Sequence, residues 1–399
     1  MAEVHIATLD DLGSVEGRRA LVRVDFNVPV TDEGAISDDT RIRRAIPTIR
    51  ELAGQGCRVV LMSHRGRPKG WGGASLDIAA ERLRELSGLP VGFVDDIVGE
   101  KARQAVHELA PGQCLVLQNV RYELGEKAGD VEFARQLAGL GDFYVNDAFG
   151  TAHRADVSVA IVPTLLPAYA GRLLMAEIAA LTPLAKGPDR PYWAVIGGSK
   201  VSDKVSLLGA LLEHVDGIAI GGGMANTFLK AQGFDMGASK VEVEALAQAE
   251  NILHRARQRG VDIVLPDLVL AAQGFSPDAP ARVASPGRLD ASEMALDVAG
   301  VSVDAMLERL QSAATIFWNG PLGVFEWERF REGTMRMARG LAALSARVVV
   351  GGGDSVAAAE LAGIGDRLFH VSTGGGAALE LLEGAALPGV EALKHSPRG

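Results

Sequence analysis

The stretch YWAVIGGSKVSDKVSLLGALLEHVDGIAIGGG at residues 192–223 contains one full cycle of the pattern that decides the fold. An apolar run ends in glycines, an amphipathic helix-like segment follows, and a second apolar run ends in glycines again. Short Val/Ile/Leu runs that alternate with helical segments are typical of βαβ units and of a parallel sheet buried on both faces. The stretch therefore predicts an α/β fold of the doubly wound class, with its glycine loops at one edge of a parallel sheet.

The same alternation covers most of the 399 residues. Strand-like runs in the first half are LVRVDFNVPV, CRVVLMS, PVGFV, CLVLQNV and DFYVNDAF, and those in the second half are YWAVIGG, GIAIGG, DIVLP, TIFWNG, RVVVGG and RLFHVS. A chain of this length suits two domains of about 150–200 residues each. Between the two sets lies a helical stretch bracketed by prolines at 163, 167, 183, 188 and 191, which is typical of a domain connector. We therefore expect one domain at residues 1–185 and a second at residues 186–384.

Composition excludes several classes of function. The formal net charge of −10 argues against nucleic acid and anionic membranes as partners. The two cysteines, Cys57 and Cys114, lie in apolar runs without CxxC spacing, which indicates buried thiols in a reducing compartment and not a metal site. The N-terminus MAEVHIATLDD is acidic where a signal peptide is basic and then apolar, and no uncharged apolar run reaches the roughly 18 residues of a membrane span. We expect a cytoplasmic protein.

Cationic loops follow the strand-like runs of the first half. These loops contain His64, Arg65, Arg67 and Lys69 after VVLMS, Arg121 after LVLQNV, and His153 and Arg154 after DFYVNDAFGTA. Arg41 adds a cation at the start of a predicted helix, where it opposes the helix dipole. Each residue taken singly is an ordinary surface cation, but the carboxyl ends of parallel strands meet at one edge of a sheet. Together the loops predict an anion-binding site in an otherwise acidic chain.

The segment RVDFNVP places further polar groups beside these loops. Because side chains alternate along a strand, we expect Arg23, Asp25 and Asn27 to share one face of it. Such a polar face indicates either ligand contact or a hydrogen-bonded strand at a solvated edge of the sheet.

The glycine loops of the second half predict phosphate binding. After Gly197–Gly198, we expect Lys200 and Lys204 in or near the first turn of the next helix and on one face of it. Cations there oppose the helix dipole unless an anion shares the site, and glycines with exposed N–H groups supply such a site. Two solvated surface lysines are the alternative interpretation.

The remaining glycine loops add acidic groups. GGGDS at 351–355 and STGGGAA at 372–378 repeat the strand–glycine–helix turn. Asp354 suits either Mg²⁺, which prefers carboxylate and phosphate oxygens, or a helix N-cap. In WNGPLGVFE at 318–326, Glu326 suits either a ribose hydroxyl of adenosine or solvent beside a structural turn.

Several nucleotide-binding signatures are absent from the sequence. The chain lacks GxxxxGK[ST], the HRDxxxxN and DFG of protein kinases, and the third glycine of a dinucleotide fingerprint in GGGDSV. A basic cup in one domain and a glycine-rich cup in the other still predict an enzyme. One domain would hold a small phosphorylated acid, and the other a nucleotide.

Ten motifs in the same order strongly resemble those of phosphoglycerate kinases. They are RVDFNVP, DDTRIRRAIP, MSHRGRPKG, NVRYELGE, YVNDAFGTAHRA, GGSKVSDK, GGGMANTFL, WNGPLGVFE, VVVGGGDS and HVSTGGGAALELLEG. The resemblance implies two Rossmann-like domains that face a central cleft and are joined by a helical hinge. It also implies a monomer whose C-terminal residues, about 385–399, pack back on the N-terminal domain.

The resemblance further implies reversible transfer of a phosphoryl group between 1,3-bisphosphoglycerate and ADP, giving 3-phosphoglycerate and ATP, with Mg²⁺ on the nucleotide. The residues that match the family's phosphoglycerate site are Asp25, Asn27, Arg41, His64, Arg67, Arg121, His153 and Arg154. The residues that match its Mg-nucleotide site are Gly198, Lys200, Lys204, Gly223, Asn319, Gly320, Pro321, Val324, Glu326, Asp354 and Ser355, with Asp354 as the metal ligand.

This reaction requires no general base, because the acid carboxylate and the ADP phosphate are already ionised at pH 7. Alignment and charge neutralisation remain for the protein. We predict that Lys200 stabilises the passing phosphoryl group from the nucleotide side and Arg41 from the acid side. Helix starts at Gly352–Gly353 and Gly375–Gly376 would assist them. Closure of the cleft would join the ligands and exclude water.

Some positions depart from the usual pattern of the family. They are Arg65 in place of Leu, Asp156 in place of His, Arg172 in place of an aromatic residue and Ala378 in place of Ser. The departures bear on charge balance and closure, and they leave Lys200, Arg41 and Asp354 intact. Two alternatives are a nucleotide- and anion-binding regulator without turnover, and a kinase for another carboxylate such as acetate.

Overall fold

The chain divides inside a helix that starts at Arg172 and ends at Lys186. A computed structural model describes residues 6–68 and 73–397, so Lys69 of the cationic loop lies outside the described residues. One unit comprises Met1–Ala179 with Ala386–Gly399, and the other comprises Ala180–Ala385. The helix that contains this division also contains residue 185, where the sequence predicts the domain boundary.

The first unit is built on a parallel sheet of six strands in the order β3-β4-β2-β1-β5-β6. The strands are β1 (Arg19–Val24), β2 (Arg58–Met62), β3 (Val91–Phe93), β4 (Cys114–Val116), β5 (Phe143–Asp147) and β6 (Ala168–Ala170). The first five coincide with the predicted runs, whereas the short β6 lies in the predicted connector. Leu21 and Val22 of the central β1 are fully buried, as expected for a sheet covered on both faces.

Helices flank this sheet. They are α1 (Thr40–Gly54), α2 (Asp77–Ser87), α3 (Glu100–Glu108), α4 (Gly125–Ala128), α5 (Val131–Ala138) and α6 (Arg172–Lys186). Helix α1 follows the acidic N-cap Asp39, and the backbone N–H of its first residue, Thr40, donates to the Asp38 carboxylate over 2.8 Å. Arg41 therefore lies in the first turn of α1. The prediction for this helix start is confirmed.

Helix α6 is anchored at its first residues. Asp147, the last residue of β5, accepts hydrogen bonds from the backbone N–H groups of Leu173 (2.8 Å) and Leu174 (3.2 Å). The Arg172 guanidinium donates to the carboxylates of Glu51 and Asp10. Arg172 therefore joins α6 to α1 by ion pairs, where the family pattern has an aromatic side chain.

The second unit contains a parallel sheet of six strands, in the order β15-β14-β13-β7-β8-β9, and an antiparallel sheet in the order β11-β10-β12. The strands are β7 (Tyr192–Ile196), β8 (Gly217–Ile220), β9 (Asp262–Val264), β10 (Val269–Gln273), β11 (Ala281–Ala284), β12 (Glu293–Val298), β13 (Thr315–Asn319), β14 (Arg347–Gly351) and β15 (His370–Val371). All six predicted runs are in the parallel sheet, which confirms the doubly wound α/β class. The antiparallel sheet has no counterpart among the predicted strands.

The helices of the second unit lie between its strands or after them. They are α7 (Val205–Leu211), α8 (Gly222–Ala231), α9 (Leu246–Arg259), α10 (Gly300–Leu310), α11 (Glu332–Leu341), α12 (Gly353–Leu361) and α13 (Gly376–Leu382). Because α7 begins only at Val205, Lys204 is its N-cap and Lys200 precedes it by several residues. The prediction that both lysines lie in or near the first turn therefore holds for Lys204 and is wrong for Lys200. Val201 is fully buried and Ser202 donates to the Glu242 carboxylate, so these contacts hold the segment outside the helix.

The C-terminal segment belongs to the first unit. Its helix α14 (Pro388–Lys394) packs beside residues 157–161. The Gly389 N–H donates to the Ala152 carbonyl over 2.8 Å, and a Cβ at Gly389 would lie 2.7 Å from a methyl of Val159. The helix is therefore closely packed there. Within the described part of the chain, none of the helices combines the length and apolar character needed to cross a membrane.

Candidate active site

The loops of the first unit that carry cations are brought together by strand order. Strands β2, β1 and β5 are neighbours, and the loops after them carry His64, Asp25 and Arg154 respectively. Arg121 follows β4, which pairs with β2 on its other side. The carboxyl edge of this sheet therefore collects residues that lie up to about 130 positions apart in sequence, as the βαβ pattern predicts.

His64 lies at the centre of these cations, and its side chain is 1% exposed. Arg23 Nη2 lies 3.1 Å from Nδ1 of the imidazole, and Arg154 Nη1 lies 3.5 Å from Nε2. Burial lowers the pKa of His64 far below its usual value, and the charges of Arg23, Arg121, Arg154 and Arg41 lower it further. The imidazole is therefore uncharged at neutral pH. We call Arg23, Arg41, Arg121 and Arg154 the arginine cluster.

A single carboxylate orients one member of the arginine cluster. Arg41 Nη1 donates to Asp25 Oδ2 over 2.6 Å, and the backbone N–H of Asn27 donates to Asp25 Oδ1 over 3.2 Å. The Arg41 side chain remains about one third exposed, whereas that of Asp25 is 9% exposed. Asp25 thus holds one terminal nitrogen of the Arg41 guanidinium, while the side chain remains partly accessible to a ligand.

Arg121 is fixed through the loop after β2. Its Nη1 donates to the Gly66 carbonyl over 2.8 Å, and the Gly66 N–H donates to the Asn27 side chain over 2.8 Å. Burial lowers the pKa of Arg121, and the nearby charge of Arg154 lowers it further. Asp156 Oδ2 lies 3.8 Å from Arg121 Nη2, so the residue that departs from the family pattern places a carboxylate beside this cation.

The remaining cationic residues of these loops differ in their exposure and in their hydrogen-bond partners. Arg67 is exposed. Arg154 Nε lies 3.5 Å from Nε2 of the neighbouring His153. Arg65 Nη1 donates to the Ser75 carbonyl over 2.6 Å. The added charge of Arg65 is therefore tied to the backbone of a neighbouring loop.

Sequence reasoning missed the role of Arg23, although it named the residue. Strand β1 ends at Val24 and lies inside the sheet, so Arg23, Asp25 and Asn27 do not share one strand face, and no solvated edge is present there. The Arg23 side chain is fully buried, and its Nε donates to Ser158 Oγ over 2.8 Å. An arginine within the apolar run LVRVDF was the available signal.

In the second unit, glycines allow two strand-end loops to pack against each other. The Gly197 N–H donates to the Asn319 carbonyl over 2.8 Å, and the Gly198 N–H donates to the Pro321 carbonyl over 3.0 Å. A Cβ on Gly197 would overlap the Pro321 carbonyl, and one on Gly320 would overlap the Gly197 carbonyl. The glycines of AVIGG and WNGPLG are therefore required by the close approach of two backbones.

These loops border a cavity of about 650 Å³, a size typical of small-molecule sites. Its lining residues are Gly198, Ser199, Gly223, Asn226, Lys240, Phe275, Met294, Ala295, Leu296, Pro321, Gly323, Val324, Glu326 and Asp354. Six of them are among the predicted nucleotide residues: Gly198, Gly223, Pro321, Val324, Glu326 and Asp354. The lining supplied by β12 and by Phe275 was not predicted, because it comes from the antiparallel sheet and its loop. We call this space the glycine-lined cavity.

Lys204 and Asn319 connect the loops behind the cavity. Lys204 Nζ donates to the Asn319 side-chain oxygen, and Asn319 Nδ2 donates to the Gly351 carbonyl over 2.6 Å. The Gly320 N–H donates to Ser355 Oγ over 2.5 Å. Burial lowers the pKa of Lys204, while the charges of Asp203, Asp354 and Glu383 act in the opposite direction. Lys200, in contrast, is exposed.

The predicted glycine helix starts are confirmed. Helix α12 begins at Gly353 after the N-cap Gly352, whose φ is +93°, and α13 begins at Gly376 after the N-cap Gly375, whose φ is +49°. Asp354 lies in the first turn of α12 and is exposed, so it is not the N-cap of this helix. Its carboxylate borders the glycine-lined cavity.

The fold and the two sites define a class of protein. A guanidinium cluster at the strand ends of one α/β unit and a glycine-lined cavity at those of the other are features of a phosphotransferase with an anionic substrate. The family model for phosphoglycerate kinase matches residues 9–385. The chain belongs to the phosphoglycerate kinase family.

Curated and solved relatives agree with this membership. The chain is 50% identical over 388 residues to the phosphoglycerate kinase of Moorella thermoacetica, covering 97% of this chain and 98% of the relative. It is 49% identical over 395 residues to that of Pelotomaculum thermopropionicum, covering 98% and 99%. The structure of phosphoglycerate kinase from Coxiella burnetii matches with a TM-score of 0.87 and 39% identity, covering 98% of this chain and 99% of that one.

Proposed function

We propose that the protein transfers a phosphoryl group reversibly between 1,3-bisphosphoglycerate and ADP, giving 3-phosphoglycerate and ATP. The bond between phosphorus and the acyl oxygen breaks, a bond to the β-phosphate oxygen of ADP forms, and the acid leaves as a carboxylate. The observation that carries the proposal is the arginine cluster gathered around the buried His64. Fixed positive charges that outnumber the nearby carboxylates suit a polyanion whose reacting groups are already ionised. Family membership supports the same reaction.

The proposed acid site lies on the first unit. The accessible guanidiniums of Arg41 and Arg154 would bind anionic oxygens, with Arg121 behind them and with His64 and His153 as neighbours. Asp25 and Asn27 would orient the cations and the loop, and the exposed Arg67 would close the ligand from solvent.

The proposed nucleotide site is the glycine-lined cavity. The backbone at Gly198 and Gly223 would receive the phosphates, and Glu326 would accept from ribose hydroxyls. Met294, Leu296 and Val324 form an apolar part of the lining that suits a nucleobase. Hydrogen bonds among residues next to the lining would hold the phosphate-binding loops in fixed positions. These residues are Lys204, Asn319, Gly320 and Ser355.

The donor set at this cavity fits Mg²⁺ bound together with a nucleotide. Mg²⁺ is usually held by one or two carboxylates, with phosphate oxygens and waters completing its octahedron. Asp354 supplies one exposed carboxylate at the cavity. Across residues 6–68 and 73–397, no group of three or more His, Cys, Asp or Glu residues could hold a metal unaided, which suits a site completed by phosphates. The ion would supply charge neutralisation on the phosphate chain.

The transfer itself is proposed to depend on two cations and two helix starts. Lys200 would stabilise the phosphoryl group from the nucleotide side and Arg41 from the acid side, with the N–H groups at Gly352–Gly353 and Gly375–Gly376 assisting. Because the two ligand sites lie on different units, transfer would follow domain closure, with α6 as the hinge. We further propose that the protein acts as a cytoplasmic monomer in glycolysis and gluconeogenesis.

ATP-dependent phosphorylation of 3-phosphoglycerate with Mg²⁺, coupled to NADH oxidation through glyceraldehyde-phosphate dehydrogenase, tests the proposal. Lys200→Ala and Arg41→Ala should each lower kcat by at least about a hundredfold, as expected for a group that stabilises transition-state charge. Lys230→Ala and Arg44→Ala are matched controls, because both residues are exposed on helices of the same units. The native protein and both controls should turn over equally.

Two results would contradict the proposal. Binding of nucleotide and 3-phosphoglycerate by the folded native protein without turnover would indicate the regulator alternative. Turnover of acetate at a rate comparable with that of 3-phosphoglycerate would indicate a kinase for another carboxylate. We expect acetate to react poorly, because a second anionic group is needed to occupy Arg121 and Arg154.

A further inference from the structure

We propose that the buried Arg23 is a positioning residue that holds His64 as a neutral imidazole with its proton on Nε2, so that Nε2–H donates to the bound acid. The inference rests on the proposed function for the identity of the ligand. Its structural part concerns the tautomer of His64 in the free protein and stands independently of turnover.

The contact between Arg23 and Nδ1 decides the tautomer. A guanidinium has only donors, so the Arg23 Nη2 group 3.1 Å away requires Nδ1 of His64 to accept. The nearest carboxylate oxygen, Asp25 Oδ1, lies 4.0 Å from Nδ1, which is too far to accept a proton from it. A neutral imidazole carries one proton, and that proton must therefore be on Nε2.

The surroundings of Nε2 show that its N–H group can donate to a bound anion. Arg154 Nη1 lies 3.5 Å from Nε2, so two donors face each other at a distance longer than the Arg23 contact. Arg154 is only partly buried, whereas Arg23 is fully buried. An anionic oxygen placed between Nε2–H and the Arg154 guanidinium would accept from both. The arrangement is thus complementary to a ligand anion.

Arg23 is held in place by a buried polar chain. Its Nε donates to Ser158 Oγ over 2.8 Å, and Ser158 donates from Oγ and from its backbone N–H to the two oxygens of Glu126 over 2.5 and 3.0 Å. Tyr144 donates its hydroxyl to the Ser158 carbonyl over 2.9 Å. Arg23, Glu126, Ser158 and Tyr144 are all fully buried, so water does not compete for these hydrogen bonds. The chain fixes the guanidinium that sets the tautomer.

The tautomer is tested directly by NMR of the full-length, ligand-free native protein labelled with ¹⁵N in histidine rings. Two-bond ¹H–¹⁵N correlations distinguish the Nε2–H tautomer, the Nδ1–H tautomer and the charged ring, and the His64→Gln variant assigns the His64 signals. We expect the Nε2–H pattern for His64 at pH 7. An Nδ1–H or charged pattern would overturn the proposal, whatever the enzyme assay shows.

The donor role is tested by two replacements of His64. A glutamine amide takes the place of Nε2 and an asparagine amide takes the place of Nδ1, so His64→Gln preserves the proposed donor and His64→Asn does not. Loss of one charge-assisted hydrogen bond corresponds to about a tenfold or larger effect. We expect His64→Asn to have a KM for 3-phosphoglycerate at least about tenfold above that of His64→Gln, with the KM for ATP equal in both. Equal acid KM values would contradict the donor role.

Ser158→Ala tests the buried chain without removing a charge. We expect a second tautomer of His64 to appear in the NMR spectrum and the KM for 3-phosphoglycerate to rise about fivefold, with the KM for ATP unchanged. Ser87→Ala is a matched control, because Ser87 is also buried in the first unit but lies at the end of α2. An unchanged tautomer in Ser158→Ala would show that the chain does not position Arg23. The Nε2–H pattern in a protein that does not phosphorylate the acid would refute the proposed function alone.

Discussion

Lys204 donates a hydrogen bond from its ammonium to the side-chain oxygen of Asn319, and this bond joins the loop before α7 to the end of β13. The amide nitrogen of Asn319 donates onward to the Gly351 carbonyl at the end of β14. One asparagine therefore connects three strand ends of the second unit. Because Asn319 lies next to the glycine-lined cavity and bonds to two other loops, a change at this residue should alter the geometry of all three loops.

Asn319→Ala is expected to weaken nucleotide binding and to destabilise the second unit. The change removes an acceptor from the partly buried Lys204 and a donor from the buried Gly351 carbonyl, which costs about 1–3 kcal/mol of the free energy of unfolding. The KM for ATP should rise while the KM for 3-phosphoglycerate stays the same. Steady-state kinetics and urea unfolding measure both effects. Asn251→Ala, at an exposed position of α9, should leave both quantities unchanged.

Asp25→Ala is expected to reduce turnover through Arg41. The carboxylate of Asp25 accepts a 2.6 Å hydrogen bond from Arg41, and without it the partly exposed guanidinium loses its fixed orientation. A charge-assisted hydrogen bond of this kind is worth about 1.5–3 kcal/mol, so kcat/KM for 3-phosphoglycerate should fall by about tenfold or more. The KM for ATP serves as an internal control. A fall in the ATP affinity of equal size would indicate general damage and not a local effect on Arg41.

The parallel sheets could be predicted because buried parallel strands consist of continuous apolar runs, as in VVLM or IFWN. The antiparallel sheet could not be predicted from such runs. Its edge strand β11 reads ARVA with three of four residues exposed, and β12 mixes Glu and Asp with apolar residues. These strands are stabilised by contacts with neighbours distant in sequence, which no local pattern reveals.

The candidate site likewise contains residues that a local sequence pattern predicts and others whose roles depend on contacts distant in sequence. Motif matching predicted residues such as Asp354 and Glu326, which do line the glycine-lined cavity, because their loops carry the glycines that let backbone N–H groups approach a phosphate. It did not predict the role that we propose for Arg23, because that role depends on the burial of Arg23 and on its contact with His64. The wrong helix start before Val205 has a similar cause. Glu242 binds Ser202 from elsewhere in the fold and overrides the local helical pattern.

Acidification is expected to destabilise the first unit through His64. The folded state holds the pKa of His64 far below its ordinary value of 6.5, so the unfolded state binds a proton there first. The stabilisation is present above pH 6.5 and is lost as the pH falls below it, by at most about 1.4 kcal/mol per pH unit. Hydrogen exchange of the first unit between pH 7 and pH 5 measures this loss. His64→Gln should have a shallower dependence, and an equal slope in both proteins would refute the assignment.

Asp297 should make the second unit less stable as the pH rises, which is opposite to the effect of His64 on the first unit. Burial raises its pKa to about 8, although the N–H groups of Gly333 and Val298 donate to its carboxylate. Between pH 4 and pH 8 the unfolded state loses the proton while the folded state keeps it, so stability falls as the pH rises through this range. Tryptophan fluorescence during urea unfolding reports on this unit, since three of the four tryptophans, Trp193, Trp318 and Trp327, lie in it. Asp297→Asn should flatten the slope, and Asp304→Asn at an exposed ion pair should not.

Gly320→Ala is expected to be among the most damaging single-methyl changes in the second unit. Gly320 has a φ of +93°, a region that costs a side chain about 1–3 kcal/mol, and its Cβ would overlap the Gly197 carbonyl. The overlap must separate the loop after β13 from the loop after β7, and both loops border the glycine-lined cavity. We therefore expect a loss of stability above about 2 kcal/mol and a large rise in the KM for ATP. Gly365→Ala, where no neighbouring atom lies within 4 Å of the added Cβ, is the matched control for urea unfolding and kinetics. Equal stability of the two variants would show that the two backbones can separate at little cost.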